Sequence, residues 1–133
     1  MKQIVIILIL VAVTLTACSG DGVYDQAYTA SGDGTNELEL NRTEQFPRNE
    51  DLNVVVKLNS HDSDVEVVAT FFDPDGEQVG DPLSVTADQN VGTVVLGLDW
   101  EGKGDEEFWE DGRWSVQIEV DGEEVDTLEF RVG

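Results

Sequence analysis

Trp114-Ser115-Val116-Gln117-Ile118-Glu119-Val120-Asp121-Gly122 alternates apolar and polar side chains and then ends on an Asp-Gly pair. Successive side chains of a strand point to opposite faces, so Trp114, Val116, Ile118 and Val120 share one face while Ser115, Gln117 and Glu119 share the other. Asp-Gly accepts the positive φ angles that a two-residue hairpin turn demands. Beyond it Leu128, Phe130 and Val132 alternate with Glu129 and Arg131. These residues predict a hairpin with one apolar face, the pattern of an antiparallel sheet packed on one side only.

The same period runs through the rest of the chain. Leu52, Val54, Val56 and Leu58 alternate with Asn53, Val55 and Lys57; Val65, Val67, Ala69 and Phe71 alternate with Glu66, Val68 and Thr70. Val94, Leu96, Leu98 and Trp100 alternate with Val95, Gly97 and Asp99, which predicts Trp100 in the core. Weaker strands are expected over Val23 to Ala30, Glu37 to Leu40 and Leu83 to Ala87. Turn chemistry divides the runs, at Asp33-Gly34, Asp73-Pro74-Asp75-Gly76 and Asp111-Gly112, with Pro47 and Pro82 where strands begin or end. No segment has helical periodicity. Short strands at this turn density predict an all-β chain, a single antiparallel β-sandwich of about seven or eight strands.

A family resemblance supports that architecture. Trp109-Glu110-Asp111-Gly112-Arg113-Trp114 and the alternating residues to Asp121-Gly122, followed by Val125, Phe130 and Val132, resemble the C-terminal hairpin of bacterial and archaeal extracellular Ig-like domains. Thr43-Glu44-Gln45-Phe46-Pro47 before a Val-rich strand fits the same kind of domain. The resemblance implies an Ig-like sandwich with Trp109 closing one end. It implies no catalytic residues, because such sandwiches carry many functions.

The N-terminus carries a separate signal. Lys2 provides a positive start, Ile4 to Val13 an apolar run, and Leu15-Thr16-Ala17-Cys18 resembles the lipobox of bacterial lipoproteins. The apolar run is shorter than the roughly 20 residues that a spanning helix needs. The resemblance implies a signal peptide over residues 1–17, cleaved before Cys18, whose thiol carries the lipid that anchors the protein to a membrane. Residues 18–22 then form a short tether, and residues 23–133 the Ig-like domain. The implied location is the cell envelope, facing the extracytoplasmic side. Ser19 stands where an Asp would mark inner-membrane retention in Gram-negative lipoproteins, so the outer membrane is implied if the host is Gram-negative. With Cys18 the sole cysteine, no disulfide can form within the chain and burial must hold the fold.

Charge narrows the partners. The chain has 29 acidic and 7 basic residues, a net charge of −22, and removing Lys2 with the leader takes it to −23. Such a surface repels phosphate backbones, which disfavours nucleic acid as a partner. An acid-rich, lysine-poor surface also suits strong salt, which screens self-repulsion within about 3 Å at 1 M, and this suggests a halophilic or marine host.

For chemistry the residues offer little. The only histidine, His61, lies in Asn59-Ser60-His61-Asp62-Ser63-Asp64, where it is expected as an exposed loop residue; no nucleophile elbow or phosphate-binding loop is present. This is not the inventory of an enzyme, and no cofactor is expected. Asp73, Asp75 and Glu77 in one turn are candidate calcium ligands, since that ion prefers oxygen donors in flexible geometry. Phe108 and Trp109 are candidates for stacking on a glycan. Two functional readings follow, a lipid-anchored structural or protein-interaction module of the envelope and a small module binding glycan or Ca²⁺.

Overall fold

The computed structural model describes residues 22–33, 36–100 and 108–133, which contain nine strands. They are β1 (Tyr24–Ser31), β2 (Asn41–Arg42), β3 (Gln45–Phe46), β4 (Leu52–Leu58), β5 (Val65–Phe72), β6 (Gln78–Ala87), β7 (Thr93–Leu98), β8 (Gly112–Val120) and β9 (Glu123–Val132). One sheet has the order β2-β1-β4-β7 and the other β3-β9-β8-β5-β6. All pairings are antiparallel except that of β3, which lies parallel to β9. The two sheets pack as an almost wholly antiparallel β-sandwich, the class that the strand periods predict.

The hairpin that opens the sequence argument sits at the centre of the five-stranded sheet. Trp114 lies opposite Phe130 and Val116 opposite Leu128, so the register keeps every large side chain on the inner face. Asp121 and Gly122 close it at φ 52° and 85°, the left-handed pair that a tight hairpin requires. Between the sheets Phe46, Phe71, Trp114 and Phe130 form the aromatic centre of the core. Phe130 meets Phe46 edge-on at 5.2 Å and stacks on Trp114 at 6.1 Å. Offset and edge contacts of this kind each add about 0.5–1.5 kcal/mol beyond area burial. The sheets are also tied at one edge, where the Tyr24 hydroxyl donates to Asp126 Oδ2 at 2.6 Å.

Several expectations change. Glu37 to Leu40 is not a strand: Glu37–Glu39 is a single 3₁₀ turn capped by Asn36, whose side chain accepts from the Leu38 N–H. Pro82 lies inside β6 rather than at its end; β6 is an edge strand with an irregular register at Ala69/Phe71, where a missing N–H is tolerated. The outward face of β4 is not polar and solvated, since Val55 is fully buried and Asn53 nearly so. The cause is the segment between β1 and β2, which folds over that face. Lys57 Nζ holds both Glu37 carboxylate oxygens, at 2.9 and 2.7 Å, and the Asn53 amide donates to the Gly32 carbonyl. One sheet is therefore covered on its outer side, and among the described residues no segment covers the other.

Candidate functional site

The sequence-predicted ligand residues gather at one end of the sandwich, where β4 begins, β5 turns into β6, β7 ends and β8 begins. His61 lies at the other end, between β4 and β5. The backbone enters at the His61 end too, with the Asn59 N–H donating to the Val23 carbonyl and its amide to that of Gly22. Cys18 lies outside the described residues, as do residues 101–107.

In the turn from β5 to β6, Asp73 Oδ1 accepts the N–H groups of Asp75 and Glu77 at 2.9 and 3.0 Å. This local bonding shapes the turn and occupies one Asp73 oxygen. Asp73, Asp75 and Glu110 each present a carboxylate oxygen within 4.8 Å of the others. Two of the three expected calcium candidates thus converge, and Glu110 rather than Glu77 completes the set. Glu110 arrives because β8 starts against the turn: a Cβ on Gly112 would stand 2.8 Å from Pro74 Cγ. Its carboxyl is pushed above the usual glutamate range, first by desolvation and then by the charges of Asp75, Asp73, Glu77 and Asp111. Sequence distance hides Glu110 from a calcium reading of the turn, although its place just before a predicted strand at the Asp-Gly turn is an available signal.

The aromatic candidates divide. Trp109 is half-buried, packs edge-on to Trp114 at 5.8 Å, and donates its indole N–H to the Glu50 carbonyl at 2.6 Å. Arg48 and Trp109 also exchange two bonds, from the Trp109 N–H to the Arg48 carbonyl and from Arg48 Nε to the Trp109 carbonyl. Trp109 therefore closes the end of the sandwich, and its polar atom is occupied. Phe108 is 45% exposed, with Trp100 stacked on it at 6.1 Å and the Arg48 guanidinium 5.7 Å from its ring. Strand phase predicts Trp100 in the core, and the structure places it elsewhere. β7 stops at Leu98, and the Trp100 N–H is held by Asp51 Oδ1, which turns the chain out of the strand phase. Trp100 lines a cleft with Gly32, Asp33, Asn49, Glu50 and Asp51. Carboxylates and a stacked aromatic pair make this the chemically richest end of the described structure.

His61 is a correction of a different kind. It is buried at 6% exposure, and its ring bridges two loops: Nε2 stands 2.9 Å from the Val91 carbonyl and Nδ1 2.8 Å from the Ser63 carbonyl. Only the imidazolium donates from both nitrogens. The Val91 carbonyl, then that of Ser63, raises its pKa above the ordinary 6.5. Each nitrogen is committed to a backbone oxygen, so His61 is built into the loop scaffold.

No family model and no curated protein matches the chain. Its structure is similar to that of an immunoglobulin-like protein from Pseudomonas aeruginosa, with TM-score 0.46 and 14% identity over 84% of this chain and 95% of that one. It is also similar to the CARDB domain of a Pyrococcus furiosus protein in complex with di-metal ions, with TM-score 0.44 and 13% identity over 90% of this chain and 97% of that one. A β-glucosidase from Listeria innocua in complex with glucose contains a domain that matches at TM-score 0.50 and 18% identity; the match covers 83% of this chain and only 16% of that enzyme. At these identities the likeness concerns the fold alone, a two-sheet β-sandwich.

Proposed function

We propose that the chain is a non-enzymatic, lipid-anchored module of the cell envelope that works through protein contacts. The observation that carries this reading is Leu15-Thr16-Ala17-Cys18 directly ahead of a short polar tether and one Ig-like domain. The entry of the backbone beside Asn59 supports it, because a tether of residues 18–22 would leave the aromatic and acidic end farthest from the membrane. β8 spans nine residues, so that distance is about 30 Å. Among the described residues no helix is long and apolar enough to cross a membrane. Two or more acyl chains hold a protein stably where one does not, so anchoring would rest on the lipid at Cys18. The reading predicts that Cys18→Ser moves the protein from the membrane to the soluble fraction and abolishes incorporation of labelled fatty acid. A variant that stays with the membrane would overturn it.

Calcium binding is the second reading, favoured by the convergence of Asp73, Asp75 and Glu110. Oxygen ligands 2.3–2.6 Å from one Ca²⁺ ion lie within about 5 Å of each other. Under this reading millimolar Ca²⁺ raises the thermal midpoint beyond NaCl of equal ionic strength, by about 2.7 kcal/mol of stability at 100 times Kd, and Glu110→Gln removes the gain. Equal midpoints in both salts would make the cluster a solvated turn.

A further inference from the structure

The outer face of the five-stranded sheet, which no described segment covers, carries a charge pattern that the fold does not explain. On its central hairpin Arg113 lies directly opposite Arg131, and Glu119 directly opposite Glu124. Like charges placed opposite each other on neighbouring strands are destabilising. With only 7 basic residues in the chain, placing two of them side by side is a costly choice. Arg113 shares Glu129 at 3.1 Å, in a pair more than half exposed on both sides, while the Arg131 side chain has no ion pair among the described residues. At the other end Glu119 and Glu124 are joined by Glu66, whose carboxylate takes the Ser84 hydroxyl. Between the two ends Ser115, Gln117, Thr70 and Phe72 face outward without charge and partly buried, with Glu129 opposite Ser115 held by Arg113 and Val68 opposite Glu119.

The face therefore has an end with two arginines, one of them paired with Glu129, and an acidic end about 20 Å away along β8 at the rise of a strand. Such a pattern is complementary to itself when turned end for end. A two-fold axis across the strands would set Arg113 and Arg131 of one copy against Glu119 and Glu124 of the other, twice over, and cover Phe72 and Val68. Interfaces of this symmetry use the same patch on both subunits. The geometry points to a second copy of this chain as the partner of this face, docked with its strands antiparallel. This rests on the reading of the chain as an interaction module and names the surface and partner through which it works. The net charge of −22 opposes association over long range, but strong salt shortens that repulsion and screens close, partly buried pairs much less. Dimers thus form best in high salt.

The test uses the full-length chain in detergent at high KCl, with Gln117→Cys beside the two-fold axis and a short bis-maleimide. The expected result is a covalent dimer for Gln117→Cys and none for Asp25→Cys on the other sheet. Reversing one end, as Arg113→Glu with Arg131→Glu or Glu119→Arg with Glu124→Arg, lowers the dimer yield at least about tenfold, because in a two-fold pair the reversal falls on both sets of charge contacts. Mixing the two reversed variants restores it as a heterodimer. Monomeric Gln117→Cys, equal crosslinking of Asp25→Cys, or reversed variants that crosslink like their parent would overturn the proposal. Crosslinking of the unsubstituted chain through a free Cys18 speaks against lipidation alone, which keeps a failure of the anchor distinct from a failure of the face.

Discussion

His61 shows how one side chain ties together two neighbouring loops beyond the strand pairing at their ends. The Ser60–Asp64 and Asp88–Gly92 connections are set side by side by the pairing of β4 with β7 and of β5 with β6, and each also aims a carbonyl at one imidazole. The backbone adds a third link, from the Asn90 N–H to the His61 carbonyl, with Asn90 itself at φ 66°. The Val91 and Ser63 carbonyls favour the charged ring, so its folded pKa lies above the unfolded value, and Asp62 and Asp64 add to the same direction. A group of this kind gives its full stability below the unfolded pKa and loses it as pH rises through the folded one. The urea midpoint should therefore fall as pH is raised from about 6 into the alkaline range, the unfolded pKa being near 6.5. His61→Gln should flatten that part of the profile and lower the acid-side midpoint. A histidine variant with the same slope as the parent would show that the ring titrates freely in solution. Nothing in Asn59-Ser60-His61-Asp62 distinguishes this arrangement from a solvated loop. The partners are carbonyls, which every residue has, and one of them is 30 positions away.

At the level of strands, the strap over the four-stranded sheet depends on a close approach at Gly97. A Cβ there would run into the Asn53 Oδ1 atom and stand 2.9 Å from the Leu52 carbonyl, while the Asn53 amide is the group that fastens the strap to Gly32. Gly97→Ala should thus cost about 1–3 kcal/mol, the scale of overpacking a dense site, read as a lower urea midpoint with unchanged slope. It should also raise hydrogen exchange at the Gly32 end of the strap. Conformational freedom is not what Gly97 supplies, since it sits within the paired stretch of β7 opposite Asn53; the limit is space. This is also where strand patterns reach their limit. Alternation identifies β4, β5, β7 and β8 because burial on one face leaves a period of two. In β4 it misses the outer layer, since covering Val55 and Asn53 depends on a segment whose own residues, Glu37-Leu38-Glu39, alternate as if extended. It also misses β2 and β3, two residues each, which have too little sequence to show any period. The acidic and aromatic end is half legible: Asp73, Asp75, Phe108 and Trp109 are there, but Glu110 follows from how β8 starts against the β5–β6 turn, and the outward turn of Trp100 from the Asp51 bond beyond β7. The opposed arginines of β8 and β9 are visible residue by residue and become meaningful only once register puts them side by side.

Across the whole molecule, stability is a contest between a well-filled core and a surface of one sign. Trp114, Phe46, Phe71, Leu52 and Ile118 are essentially fully buried, and with Cys18 the sole cysteine no disulfide within the chain assists this core. Against it stand 29 acidic residues and a net charge of −22. In the folded state these charges crowd onto one small surface, whereas the unfolded chain spreads them, so repulsion acts against folding. Salt shortens its reach from about 10 Å at 0.1 M to about 3 Å at 1 M. The specific ion pairs that salt would weaken are few among the described residues, Lys57 with Glu37 and Arg113 with Glu129, so the balance favours a gain. The thermal midpoint should therefore rise with KCl, steeply at first and then more slowly as the Debye length falls below the spacing of neighbouring carboxylates. Each 1 kcal/mol of relieved repulsion raises it by about 4 °C in a domain near 100 residues. Potassium chloride and a non-denaturing organic salt of the same ionic strength should act alike in this range, because the effect is screening; a flat response would mean that the carboxylates are already spaced widely enough, and would remove the inference of a high-salt habitat. The dimer face adds a second signature. If the midpoint at high KCl also depends on protein concentration, and Arg113→Glu with Arg131→Glu removes that dependence, the repulsion that salt relieves acts between copies as well as within one.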